Sequence, residues 1–390
     1  MKIAQIAPLY ESVPPKLYGG TERIVHYLTD ELVNLGNEVT LFASGDSTTK
    51  ANLVSNVDQA LRLNKSCIDP LAHHIVQMQE VIDRVQEFDI LHFHTDYLHF
   101  PFTSQLAVPC ITTLHGRLDI PELKSIYNKF PNQKLVSISN DQRRPLPQAN
   151  FIGTVYHGLP VNLHRPGNGN EDYLAFLGRI SPEKRVDRAI EIAIASKSPI
   201  KIAAKIDKVD EAYFESQIKP LLDHPLVEFI GEINEEQKTA FLGKARALLF
   251  PIDWAEPFGL VMIEAMACGI PVIAYKNGSV PEVIDEGKSG FIVGSIDEAV
   301  EAVLKSDQLP RWLVRKTFED RFTASRMAKD YLKIYSSVIQ HNQDNEKGKL
   351  KALQGKPYLY EEEKKKIFRQ NSLKLKYAGR RNGSYRRDDI

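Results

Sequence analysis

Residues 253–275 read DWAEPFGLVMIEAMACGIPVIAY, and they place one carboxylate, Glu264, inside an otherwise apolar run. The preceding RALLFPI (246–252) is short, apolar and closed by Pro251, as a buried strand would be. DWAEPFG reads as a loop, and LVMIEAMACG as a helix starting near Phe258 to Leu260. A helix entered from such a strand-end loop points free N–H groups and the positive end of its dipole at the crevice, which suits a phosphate. Glu256 lies in the loop beside that anion site. Glu264 lies further along the helix, at about 1.5 Å per residue, so the pair is spaced to span one nucleotide sugar. A buried carboxylate needs donors: either the vicinal hydroxyls of a ribose or a satisfied ion pair. Taken alone, Glu256 reads as an ordinary surface residue.

Outward from this stretch, apolar runs alternate with amphipathic ones. KIAQIAP (2–8), NEVTLFAS (37–44), FDILHFH (88–94), PCITTLHG (109–116) and KLVSISN (134–140) read as strands, and TERIVHYLTDELVNLG (21–36) as a helix. The rhythm pauses at NLHRPGNGNED (162–172), a linker composition. It restarts with YLAFLGRISPEK (173–184) and continues through the helix VDRAIEIAIAS, strand PIKIAAKI, helix EAYFESQIKPLL (211–222), strand VEFIGEI and helix EEQKTAFLGKA. The expected fold is therefore α/β, with two doubly wound domains at 1–165 and 166–321 and a ligand cleft between the carboxyl ends of their strands. FTASRMAKDYLKIYSSVIQ (322–340) is an amphipathic helix expected to pack back on the first domain. Residues 341–390, with EEEKKK and GRRNGSYRRDDI, read as a mobile basic tail.

Composition narrows the function. The 390 residues are 43% apolar and 26% charged, and no run is long enough to span a membrane or serve as a signal core. Cys67, Cys110 and Cys268 are odd in number and show no C-x-x-C spacing, so a reducing cytoplasm is expected. Net charge is zero, but the last 50 residues carry 14 Lys+Arg against 7 Asp+Glu, leaving 36 against 43 in the body. That distribution argues against a nucleic-acid partner. PLYESVPPKLYGGTE (8–22) lacks G-x-G-x-x-G and no acidic residue closes the second strand, which disfavours a nicotinamide enzyme. His92, His94 and His99 in HFHTDYLHF invite a zinc reading, but no thiolate or nearby acid completes a tetrahedral set. His94 reads instead as a cleft residue.

The motif E-P-F-G-L-x-x-x-E, with Glu256 and Glu264 as its E-x7-E pair, resembles the signature of retaining glycosyltransferases of family 4, which have the GT-B fold. The resemblance extends over about residues 1–340, through YGGTE, TTLHG, LGRISPEK, VEFIGEI, NGSVPEVI and GKSGFIV in that order. It implies that Arg179 and Lys184 hold the donor diphosphate and Glu264 the ribose. It assigns Glu256 and the backbone of Phe258, Gly259 and Leu260 to the sugar and distal phosphate. The backbone of Ile233 would meet the base, and Gly19 and Gly20 would let the first loop approach phosphate or acceptor. His115 matches the family histidine near the transferred sugar, where a neutral or charged imidazole could act.

Two departures stand out. Arg185 occupies a position that is commonly glycine, and His157 one where Asn-Gly is usual. The implied activity is retaining transfer from a nucleoside-diphosphate sugar, UDP-glucose by family frequency, to a glycan or glycolipid hydroxyl. It would proceed without metal or other cofactor, in the cytoplasm, with peripheral contact to the inner face of a membrane allowed. A nucleotide-sugar epimerase and a non-catalytic carbohydrate-binding relative are the alternatives. No matched residue is an obvious nucleophile, so front-face transfer is expected over double displacement.

Overall fold

The computed structural model describes residues 1–16 and 19–353. Seven parallel strands form the first sheet: β1 (Lys2–Ile6), β2 (Glu38–Phe42), β3 (Asn52–Val54), β4 (Ile90–Phe93), β5 (Cys110–Thr113), β6 (Leu135–Ser137) and β7 (Phe151–Thr154), in the order β3-β2-β1-β4-β5-β6-β7. Six form the second: β8 (Leu174–Ile180), β9 (Ile200–Ile206), β10 (Val227–Gly231), β11 (Ala247–Phe250), β12 (Val272–Tyr275) and β13 (Gly290–Val293), in the order β10-β9-β8-β11-β12-β13. Strand composition follows position. β4 (ILHF), β11 (ALLF) and β12 (VIAY) are central and buried along their whole length, whereas the edge strand β10 alternates exposed and half-buried residues. Each sheet reverses its order once, between β1 and β4 and between β8 and β11. Crevices at the carboxyl ends of parallel strands open at such points.

The chain crosses between the sheets twice, and the crossings are bonded to each other. Leu159 N–H donates to Phe322 O at 2.9 Å and Ala324 N–H to Leu159 O at 2.8 Å. Gly158 fits against this pairing because it has no side chain: a Cβ there would lie 2.3 Å from Thr323 O. The linker composition at 162–172 belongs to a bonded strap, with Gly167 N–H on Cys268 O and Gly169 N–H on Gly243 O.

Three expectations are revised. The C-terminal helix runs Ala324–Leu353, past the expected end at 340. The apolar period does fade there, but the helix is already nucleated, and i,i+4 and i,i+3 pairs such as Gln340–Asp344 and Lys347–Asp344 allow it to propagate. The rest of the basic tail lies outside the described residues. The helix expected over 211–222 is broken into short turns, Glu211–Tyr213, Phe214–Ile218 and Lys219–Leu221; Pro220 has no N–H to continue a ladder. The short strands β3, β7, β12 and β13 are not among the runs read as strands from the sequence, each being only three or four residues long. Tyr331 and Tyr335 of the long helix are fully buried against the first sheet, where they become part of the site.

Candidate active site

The second-sheet wall is built on the loop after β11. Gly259 is left-handed (φ 78°), and a Cβ on it would stand 2.8 Å from Met262 Cε and 3.1 Å from Phe250 Cζ. The helix Leu260–Ala267 that follows has no side-chain cap, so its first N–H groups remain available. The NGSVPEVI segment supports the loop from behind. Ser279 Oγ donates to Phe258 O (2.8 Å), Ser279 N–H to Glu256 O (3.0 Å) and Asn277 Nδ2 to Ile252 O (2.9 Å). Across the cleft, the helix Gly20–Asn34 also starts without a side-chain cap. A Cβ on Gly20 would come 3.6 Å from Leu260 Cδ1, so two helix N-termini abut at the β1 and β11 strand ends. Gly19 has a packing reason as well: its Cβ would fall 2.8 Å from Pro15 Cβ.

The charged residues assigned from sequence separate into three groups. Lys184 forms an ion pair with Glu256, whose Oε2 also accepts from Trp254 Nε1 at 3.0 Å; the Lys184 ammonium lies 5.2 Å from the Trp254 ring centroid. Arg179, at the end of β8, pairs with Glu183 (2.6 Å), Asp207 (3.6 Å) and Asp210 (3.7 Å). Arg185 adopts a left-handed conformation (φ 54°, ψ 53°), which explains why glycine is usual there. Its guanidinium is fixed by Asp187 at 2.8 Å and Asp253 at 3.0 Å, an arrangement that offsets a backbone cost on the order of 1 kcal/mol.

Glu264 is 4% exposed and bonded to Lys238 Nζ at 2.8 Å; Lys238 also contacts Glu235 at 3.1 Å, and Arg23 of the first domain pairs with Glu235. Burial opposes ionisation of Glu264, but the ammonium and guanidinium outweigh it and hold its carboxyl below the usual range. The carboxylate thus takes the ion-pair alternative. Its Lys238 partner was not singled out from the sequence, since it lies 26 residues away on a different helix, with β11 between them. His164, Glu235 and Glu264 place ligand atoms within 4.8 Å of one another, but Lys238 and Arg23 already supply positive charge to these carboxylates. Ile233 lies just past β10, between Gly231 (φ 76°) and Asn234, which caps the next helix, and packs partly buried against the core.

The first-sheet wall is made of imidazoles. His94 Nδ1 and His115 Nε2 are 2.8 Å apart, and His94 Nε2 is 2.8 Å from Gln5 Oε1. His115 stacks on His157 (centroids 5.3 Å, 17°), and His157 meets Phe258 edge-on at 4.9 Å, so the unusual residue of YHGLPVN joins the two walls. Desolvation holds His92, His94 and His157 well below the ordinary histidine range and His115 at about 3. Of the two charge states considered for His115, the neutral one prevails. Both nitrogens of His92 (Tyr335 and Thr113, 2.7 Å each) and of His99 (Thr103 at 2.9 Å, Thr112 at 2.7 Å) face hydroxyls, so these rings are not directed at a shared metal.

Two parallel sheets with abutting helix N-termini and ion-paired cations at their strand ends form the GT-B architecture seen in glycosyltransferases. Residues 18–151 match the family model "Glycosyltransferase Family 4" and residues 164–315 match "Glycosyl transferases group 1". Together the two models span most of the chain, which belongs to family 4 of the glycosyltransferases. Among its relatives, N-acetyl-alpha-D-glucosaminyl L-malate synthase of Bacillus anthracis is 27% identical over 321 residues, 70% of this chain and 80% of the relative. A phosphatidyl-myo-inositol mannosyltransferase of Propionibacterium freudenreichii is 39% identical over 252 residues, 57% of this chain and 63% of the relative. Similar solved structures include AviGT4, a glycosyltransferase involved in avilamycin A biosynthesis (TM-score 0.68, 22% identity, 87% of this chain and 98% of that one). Anabaena HepE in complex with UDP and glucose is also similar (TM-score 0.64, 18% identity, 86% and 100%).

Proposed function

We propose that this glycosyltransferase moves a hexose, glucose from UDP-glucose as first choice, to a hydroxyl of a glycan or glycolipid precursor with retention at the anomeric carbon. The observation that carries the reading is the meeting of two uncapped helix N-termini at Gly20 and Leu260, the second of them entered from the loop whose Glu256 pairs with Lys184. Such a site favours the diphosphate, and most of all the charge that grows on it as the glycosidic bond breaks. Donor binding exchanges the Lys184–Glu256 pair for a Lys184–phosphate contact and frees Glu256 to accept from sugar hydroxyls. Arg179 and Lys184 then supply the positive charge that a metal supplies elsewhere. Glu264 would exchange its Lys238 bond for ribose hydroxyls, Ile233 would face the base, and the first domain would hold the acceptor. HepE, with its bound UDP and glucose, supports the choice of donor by likeness of fold. No described helix is long and apolar enough to cross a membrane; the reaction is assigned to the cytoplasm, with acceptors reached at the membrane's inner face.

The departing phosphate takes the acceptor proton on the same face of the sugar, since no matched side chain is placed as a nucleophile. The test is UDP release with and without acceptors in the presence of EDTA, with NMR of the first-formed product's anomeric coupling and mass spectrometry of the intact protein. An α-linked product, acceptor-dependent UDP release and EDTA resistance are expected. A β-linked product, a glycosyl adduct on Glu256, or activity restored only by Mg²⁺ or Mn²⁺ would overturn the mechanism.

A further inference from the structure

His115 Nδ1 is buried and has no hydrogen-bond partner, whereas its Nε2 is bonded into a chain of polar side chains that ends on the C-terminal helix. We propose that Gln5, His94 and Tyr335 are positioning residues that lock His115 in the Nε2–H tautomer, so that its unoccupied Nδ1 is an acceptor reserved for a hydroxyl of the bound sugar. This rests on the reading of His115 as a residue of the sugar site.

The proton order follows from which atoms can donate. Gln5 Nε2 donates to the Tyr335 hydroxyl at 3.0 Å, which turns Gln5 Oε1, an atom that only accepts, toward His94 Nε2. His94 Nε2 therefore carries its ring proton. His94 is neutral, so its Nδ1 is bare and accepts from His115 Nε2–H. His115 is neutral too, which leaves Nδ1 as a lone pair. At the other end, the Tyr335 hydroxyl receives the amide proton and gives its own to His92 Nδ1 at 2.7 Å, and His92 Nε2–H donates to Thr113 Oγ1 at 2.7 Å. Everything depends on the orientation of one amide. With the Gln5 amide reversed, each proton in the chain moves to the other end of its bond, and His115 presents N–H instead of a lone pair.

A buried acceptor left without a donor is unfavourable, and the penalty is removed when a hydroxyl donates to it. A site of this kind prefers sugars that carry a hydroxyl at the matching carbon over deoxy analogues.

The experiment is long-range ¹H–¹⁵N correlation of the histidine rings in the full chain, with the His115 signals assigned by their loss in His115→Gln. The expected wild-type spectrum shows Nε2 protonated and Nδ1 bare. Gln5→Leu should populate the Nδ1–H form and lower kcat on the order of tenfold, with the donor KM changed less, since an orienting bond is lost and the diphosphate contacts remain. Tyr335→Phe, which keeps the ring packing, should move the tautomer in the same direction even if Gln5→Leu does not fold. A wild-type His115 protonated at Nδ1, or an unchanged tautomer in every variant that folds, overturns the relay. Full activity in His115→Gln would instead sink the role of His115 while leaving the measured tautomer intact, so the two failures are distinguishable.

Discussion

The two walls of the cleft are polar by opposite means. The second-sheet wall is ionic: Lys184 with Glu256, Arg179 with three carboxylates, Glu264 with Lys238. The first-sheet wall is neutral, made of buried imidazoles, an amide and two tyrosines linked in one network. A partly exposed pair such as Lys184–Glu256 exchanges partners more readily than the buried Glu264–Lys238 pair, which suits the proposed entry and exit of a charged diphosphate. Neutral groups in a water-poor network keep one geometry, which suits recognition of hydroxyls.

The largest expected effect tests the ionic wall. Lys184→Ala removes the proposed phosphate contact and strands Glu256, and kcat/KM should fall by about 3 kcal/mol, on the order of 100-fold; a loss below about threefold would deny that this wall handles the phosphate.

The buried imidazoles of the first domain, His99 beside the network included, are tested by acid. His99 is fully buried and held at about 3, far below its ordinary 6.5. Between those values the unfolded chain binds the proton and the folded one does not. Stability is therefore complete above about pH 6.5 and falls on acidification by about 1.4 kcal/mol per pH unit for each such ring. Urea titrations at pH 7 and pH 5 should differ by about 2 kcal/mol or more, and His99→Gln should flatten the slope; equal midpoints would mean the rings are charged in the fold.

Glu256→Gln sits at the border of the comparison. It keeps a hydrogen-bonding group and loses the charge that holds Lys184, so turnover should drop on the order of tenfold yet remain measurable. The smallest effect is expected at Arg185→Gly, where relief of the left-handed backbone and loss of two ion pairs oppose one another; a midpoint shift worth more than about 1 kcal/mol would show that one of the two dominates.

These walls were unequally legible in the sequence. The ionic one is local: loop, Gly259, helix start and both glutamates lie within 23 consecutive residues, and helix physics reads them together. Arg185 announced itself as a departure, and its φ supplies the reason. The neutral wall is assembled from distant parts. Gln5 and Tyr335 are 330 residues apart, and a glutamine in a strand or a tyrosine in an amphipathic helix carries no periodic signal of a shared network. Lys238 reads as an ordinary helix cation until the fold places it on Glu264. His157 was visible only as an oddity, because its stacking on His115 depends on how β5 and the first crossing meet.

The crossings themselves carry a mechanical consequence. Two strands that joined the halves independently would let one half tilt, slide and twist over the other. Here Leu159 exchanges hydrogen bonds with Phe322 and Ala324, and Gly158 is seated against Thr323, so neither crossing moves along the other without breaking both bonds. Sliding of one crossing along the other is thereby opposed. The register in which Gly20 meets Leu260 and His157 meets Phe258 is thus held in part by the chain's own crossings, away from the side chains that line the mouth.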